Sequence, residues 1–370
     1  MKKAQAEHGI ICRLPQDPFG YFGWPSIARQ ADGTLVAACS GLRAAHVCPW
    51  GKTVLFTSQD HGRTWSEPEI VNDSLIDDRD AGIVSLGSQR LLLSWFTSDT
   101  RFYRKNDDWI RRDMGQALYE QYIAKIESWT DSEVGDCLGS WVRLSEDGHT
   151  WGDRISVPLT TPHGPILLPG GDLLYFGKAV VNGLNYHRYH HSGGIQAALS
   201  QDGGRNWTIL GTVPLPEDTE PDNYHEPHLV ALPSGRLIGH IRYQHSARVK
   251  NHEPFTIFQT ESDDGGRTWT TARPTGAPGS PPHLLYHSSG SVVCVYGHRQ
   301  QPYGEQAMIS RDDCATWEQG IILRDDGVDG DLGYPASVEL DDGSILTIYY
   351  QKYKEGEKPS LLWTRWSLPD

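Results

Sequence analysis

The chain has 370 residues and a formal charge of −14, which argues against nucleic acid or an anionic membrane as a partner. No apolar run approaches the length of a membrane span, and 370 residues are too many for one compact core unless that core is built from repeats. Thirteen Trp and sixteen Tyr beside 39 Gly and 23 Pro suit a turn-rich β protein with an aromatic cleft.

The N-terminus, MKKAQAEHGIICRLP, has no apolar core segment, so no signal peptide is expected and the setting is read as cytoplasmic. Six scattered cysteines without metal-ligand spacing read as buried free thiols in a reducing compartment.

One pattern recurs six times along the chain. Trp24-Pro25-Ser26-Ile27 leads to a turn at Asp32-Gly33 and a strand from Thr34. The same step separates Asp80 from Ser88-Gln89, Pro162 from Gly170-Gly171, and Glu226 from Ser234-Gly235. It separates Pro281 from Ser289-Gly290 and Tyr334 from Asp342-Gly343. Between these hairpins lies a second motif: SQDHGRTW at Ser58–Trp65, SEDGHTW at Ser145–Trp151 and SQDGGRNW at Ser200–Trp207. It returns as SDDGGRTW at Ser262–Trp269 and SRDDCATW at Ser310–Trp317. Asp and Ser bond nearby amides, Gly takes a positive φ and Trp buries its ring, which makes each box a hairpin corner. Six such units, each a four-stranded blade, predict an all-β, six-bladed β-propeller spanning residues 1–370 as one domain. The last unit lacks a box, and a strand at about His8–Leu14 is expected to complete it.

Blade 2 carries an insertion, about residues 99–138. Within it Trp109, Ile110, Met114, Ala117, Leu118, Tyr122, Ile123 and Ile126 fall at helical spacing, which predicts a helix over about 107–129. Packing on the propeller's rim is the favoured role, and a lid or a homo-oligomer contact is the alternative.

In a propeller the innermost strands converge on one mouth of a central channel. Their entry positions hold Trp24, Asp80, Pro162, Glu226, Pro281 and Tyr334, a set too varied for equivalent packing slots. Adjacent positions add Arg79, His163, His225 and His283, and the second strands end at Arg43, Lys178, Arg242 and Arg299. This is a charged axial pocket of the kind that holds a ligand.

The boxes and these entry residues resemble the sialidase (neuraminidase) superfamily. The resemblance covers most of the chain and implies the propeller more firmly than it implies activity. It also implies roles. Glu226 and Arg242, in HEPHLVALPSGRLIGHIR, match the glutamate and arginine of one hairpin; Arg299, in YGHR, matches a second arginine of a carboxylate-binding triad; Tyr334, in LGYPASVELDDGSIL, matches the tyrosine nucleophile. The first motif departs from the family. Gly23 stands in the arginine slot, and the loop for the acid/base aspartate reads Ala44-Ala45-His46-Val47-Cys48. Arg43 or Arg79 is then the candidate third cation, and Asp80 or His46 the candidate proton donor.

Chemically, Glu226 can take the proton of Tyr334, whose phenol ordinarily titrates near ~10. Arg242 and Arg299 can fork onto an anionic substrate. Trp24 reads equally as sugar platform or packing. His163, His225, His283 and Lys178 read as contacts to sugar hydroxyls or anions. No cofactor is expected, although histidines around one axis can hold a divalent ion. The expected partner is a glycan, and the leading function is an exo-acting glycoside hydrolase for a terminal acidic sugar. A lyase using the same groups for β-elimination and a non-catalytic glycan-binding propeller are the alternatives.

Overall fold

The computed structural model describes residues 2–180, 194–245 and 255–369. Among them lie six antiparallel sheets, one per repeat, and they form a six-bladed propeller. Blade 1 comprises Tyr21–Arg29, Leu35–Arg43, Lys52–Ser58 and Glu69–Asn72, from the axis outward. Blade 4, which carries Glu226 and Arg242, comprises Tyr224–Ala231, Leu237–Gln244, Phe255–Ser262 and Arg273–Pro274. Blade 6 closes the ring: Gly333–Glu339, Ile345–Lys352 and Pro359–Trp366 are completed by Ala6–Cys12 from the other end of the chain. The predicted N-terminal strand therefore exists, two residues earlier than expected. Lys2–Lys3 adds a short parallel edge to blade 5.

Strand alternation sends side chains to both faces of every sheet, and each face meets a neighbouring blade. The apolar core is accordingly a ring of seams, not one centre. Leu174, Phe176, Tyr224, Phe258 and Trp269 fill the seam between blades 3 and 4. Ile11, Phe22, Trp24, Leu346 and Leu361 fill the seam that joins blade 6 to blade 1.

The boxes fold as hairpin corners. In the fourth, Asp264 Oδ1 accepts from Arg267 N at 3.0 Å and Thr268 N at 2.9 Å, and Trp269 Nε1 donates to Gly266 O at 3.0 Å. The Trp269 ring stacks on Phe176 of the preceding blade at 4.7 Å, so one motif ends a hairpin and fills a seam. In the fifth box Cys314 takes the glycine's place at a φ of 67°, and Trp317 Nε1 turns to Gln259 Oε1 at 2.7 Å. Cys137 is half-buried, and the other five cysteines are buried free thiols.

The blade 2 insertion differs from the single predicted helix. A 3-10 turn, Thr100–Asn106, leads to α1 (Asp108–Met114), α2 (Gln116–Glu127) and α3 (Asp131–Cys137). Gly115, at a φ of 77°, breaks the first two, and a Thr130–Glu133 capping box starts the third. Ile110, Met114, Tyr122 and Ile126 bury against Ala44, Ala45, Val47 and Ile76 of the rim, which is the expected packing role. No helix among the described residues is long and apolar enough to cross a membrane.

Candidate active site at the axial mouth

Backbone conformation sets the mouth apart. Trp24, Asp80, Glu226 and Tyr334 adopt φ values of 54°, 50°, 45° and 50°, in the left-handed region that non-glycine residues avoid. In each case the inner-strand register shifts at that residue: between Gly23 and Ser26, Arg79 and Gly82, His225 and His228, and Gly333 and Ala336. A bulge with an unpaired residue re-aims its side chain. Here it turns four side chains inward. Pro162 and Pro281 cannot reach positive φ; blade 5 begins its inner strand with the unshifted pair Pro282–Tyr296.

A cavity of about 600 Å³ lies over this mouth, lined by His46, Arg79, Tyr103, Asp222, Asn223, His225, Glu226, Arg242, Gln244, His245, Arg299 and Tyr334. Its floor is a tight polar cluster. The Tyr334 hydroxyl donates to Glu226 Oε1 at 2.6 Å, and Arg242 Nη1 donates to that hydroxyl at 3.0 Å and to Glu226 Oε2. Arg242 Nη2 reaches Gln244 Oε1, two residues along the same strand. Burial and the Glu226 charge push the Tyr334 phenol well above its ordinary range, so it rests protonated.

Arg299 lies with its guanidinium carbon 5.4 Å from the Tyr334 ring centre and 5.5 Å from that of Phe255. Its Nε and Nη2 have no hydrogen-bond partner among the described residues. Buried donors without partners are costly, and an anion in the cavity would satisfy them.

The two candidate third cations part company. Arg79 lines the cavity, while Arg43 is wholly buried in a two-pronged ion pair with Asp77 at 2.6 and 2.8 Å. Asp77 claims Arg43 before a ligand can. Trp24 is likewise not a sugar platform. It is 1% exposed, with the Arg79 and Arg43 guanidinium carbons 4.2 and 4.9 Å from its ring centre and Tyr21, His46, Tyr334 and Tyr350 around it.

Asp80 sits beneath the floor, 3% exposed, with Oδ1 lacking a hydrogen-bond partner among the described residues. Burial raises its pKa to about 7, Glu226 adds to the rise, and Arg79 opposes it. Lys178 is buried, with Nζ 3.1 Å from Nδ1 of His225, and burial lowers it to about 8.

His163 and His283 do not reach this cavity. With His228 they plug the channel below it, ring centres 4.2–5.3 Å apart, and line a separate cavity at the far mouth. Burial holds all three imidazoles well below their ordinary pKa. Nδ1 of His228 accepts from Leu284 N at 2.9 Å. Among the described residues no group of three or more His, Cys, Asp or Glu is disposed to hold a metal ion.

The structure adds groups that sequence reasoning missed. Tyr103 comes from the insertion, His245 and Gln244 from the end of a blade 4 strand, and Asp222 and Asn223 from the turn before Tyr224. Asp331, three residues before Tyr334, accepts from the Tyr21 and Tyr350 hydroxyls at 3.1 Å each and lies 3.2 Å from His46 Nδ1. Only Gln244 carried a signal, through its alternation with Arg242 on one strand face.

The family description BNR repeat-like domain matches residues 116–347. None of the curated proteins matches the chain by sequence. Among solved structures, a Dyadobacter fermentans protein of unknown function is 21% identical with a TM-score of 0.75 over 98% of each chain. The intramolecular trans-sialidase from Ruminococcus gnavus, in complex with oseltamivir carboxylate, is 14% identical with a TM-score of 0.64 over 97% of each chain. The Penicillium chrysogenum alpha-L-arabinanase complexed with arabinobiose is 15% identical with a TM-score of 0.61 over 97% of this chain and 98% of that one. These likenesses establish a shared fold.

Proposed function

The chain belongs to the BNR repeat-like domain family, and from that premise we propose that it is an exo-acting glycoside hydrolase that releases a terminal acidic sugar. The observation that carries this reading is the Tyr334–Glu226 hydrogen bond of 2.6 Å, with Arg242 touching both partners. Structural likeness to a trans-sialidase and an arabinanase supports glycosidic chemistry. The open donors of Arg299 beside Arg242 and Arg79 support an anionic sugar.

In this mechanism the substrate's anionic group forks onto Arg242 and Arg299, which places the anomeric carbon over Tyr334. Glu226 takes the phenol proton as the tyrosyl oxygen bonds to that carbon and the glycosidic C–O bond breaks. A neutral nucleophile approaches an anionic sugar without the repulsion a carboxylate would meet. The leaving oxygen takes a proton from an acid in the site, for which His46 on the wall and Asp80 beneath the floor are the two candidates. Water then displaces the tyrosyl oxygen, which recovers its proton from Glu226.

The test is turnover of sialosides, uronosides and neutral glycosides, read by product mass, in wild type, Tyr334→Phe and Glu226→Gln. We expect an intact acidic sugar gaining one water, and losses of about 10²–10⁴-fold in both folded variants. Near-wild-type rates in both variants would overturn the assignment. An unsaturated product lacking that water would replace hydrolysis by elimination, and retained binding without turnover would leave a glycan-binding propeller.

A further inference from the structure

We propose that His46, oriented by Asp331, donates the proton to the leaving oxygen and later accepts the proton of the incoming water. This names the acid of the proposed hydrolase and rests on that reading.

His46 lies in the rim loop between Leu35–Arg43 and Lys52–Ser58, and its side chain, 36% exposed, forms part of the cavity wall. Asp80, the other candidate, does not line the cavity. His46 and Tyr334 both stand nearly perpendicular to the Trp24 ring, with centroids 4.9 and 6.3 Å away, so one rigid ring places both. The loop itself is tied down. Its His46 carbonyl accepts from Arg43 Nη2 at 2.9 Å and Arg79 Nη1 at 2.8 Å, and both arginines are anchored on Asp77.

Orientation follows from Asp331. Its carboxylate lies 3.2 Å from His46 Nδ1, a nitrogen the Tyr21 oxygen also approaches at 3.1 Å, and the Tyr21 and Tyr350 hydroxyls each donate to that carboxylate at 3.1 Å. Burial opposes ionisation of Asp331, yet His46, Arg299 and Tyr350 hold its pKa well below the usual carboxylate range. A fixed anion on Nδ1 selects the Nδ1–H tautomer and leaves Nε2 to exchange protons with the cavity. The loop that holds a carboxylate in the resembling family thus holds an imidazole here, and its carboxylate partner arrives from the connection between blades 5 and 6.

The protons balance. In the first step Nε2–H passes its proton to the glycosidic oxygen as the C–O bond breaks, and Glu226 receives the Tyr334 proton. In the second step Nε2 takes a proton from water, the hydroxyl bonds to the anomeric carbon, and Glu226 returns its proton to the departing tyrosyl oxygen.

The charged and titratable groups facing His46 are Asp331, Tyr21, Arg43, Arg79 and, from α1, Asp113. Burial lowers the imidazole below its ordinary value, Asp331 raises it, and Arg79 and Arg43 lower it further. A donor must be protonated, so kcat/KM falls as pH rises through this pKa. Asp331→Asn removes the raising charge and should move that alkaline limb to lower pH.

The experiment compares wild type, His46→Ala, Asp331→Asn, Asp80→Asn and Tyr334→Phe on methyl and 2,4-dinitrophenyl glycosides of N-acetylneuraminic acid and glucuronic acid. A dinitrophenolate leaves without protonation. His46→Ala should therefore lose about 10²–10⁴-fold on the methyl glycosides and less than about tenfold in the dinitrophenyl bond-breaking step. Azide should restore its dinitrophenyl turnover as a glycosyl azide. If that pattern follows Asp80→Asn instead, or if Asp331→Asn leaves the alkaline limb in place, the inference fails while the hydrolase reading stands. Wild-type rates in Tyr334→Phe would instead overturn the hydrolase reading. Nitrogen-15 NMR of His46 reads the same claim without turnover: a neutral ring protonated on Nδ1, with its pKa lowered in Asp331→Asn, is expected. A ring protonated on Nε2 would overturn the proposal whatever the substrate.

Discussion

Trp24, Asp80, Glu226 and Tyr334 hold a backbone conformation that costs a non-glycine residue about 1–2 kcal/mol, and all four face one mouth. Strain and burial coincide there, at the four register shifts of the inner strands. Asp80 shows the stability consequence. Its folded pKa of about 7 lies above that of a free carboxyl near ~4, so the folded state holds a proton that the unfolded state has released. The folded form is therefore least penalised below about pH 4 and loses stability as pH rises towards about 7. Asp80→Asn removes that cost. Thermal unfolding should show the variant more stable than wild type at pH 8, and the gap should narrow steadily as the pH falls. A gap that widens on acidification would show that the carboxylate, held by Arg79, is the stable form. The Glu226 and Tyr334 positions were legible from their shared offset to the hairpin glycines. Their left-handed backbone was not, because it arises from the register shift between two strands.

At the scale of elements, the box hairpins show how a repeated motif tolerates substitution. The fourth residue of the box is Gly203 or Gly265 in two copies, both at a φ of 73°, but His61 and Asp313 in two others, at 61° and 54°. His61 is exposed, so its side chain gains little from packing. His61→Gly should raise stability by about 0.5–1 kcal/mol, since relief of left-handed strain exceeds the added chain entropy of glycine. Urea unfolding at fixed m reads this directly; an unchanged or lower midpoint would mean that the turn already absorbs the strain. The insertion was legible as helical from its spacing, and Gly115 was in plain view as a breaker. Its contribution of Tyr103 to the cavity wall was not, because that depends on where the helices dock on the rim.

For the whole molecule, ring closure is the controlling fact. Ala6–Cys12 is the outermost strand of blade 6 and pairs from Ala6↔Trp366 to Cys12↔Leu361, binding the two ends of the chain into one sheet. Removing residues 2–12 should lower the unfolding midpoint by about 10 °C or more, because it strips a strand and opens the seam around Ile11, Leu361 and Leu346. An unchanged midpoint would show that the inner strands alone hold the ring shut. The sequence by itself determined the number of blades, the turn glycines, the box corners and the pairing of Glu226 with Arg242 on one hairpin. These depend on local backbone preference and on neighbours within a single sheet. Only the tertiary structure decided that Asp77 closes off Arg43, that rings and guanidiniums cover Trp24, and that His163 and His283 lie below the site. It alone brought Asp331 to His46, 285 positions apart in the chain. Such contacts cross between blades, and a repeat fixes what each blade is without fixing which side chains meet at the axis.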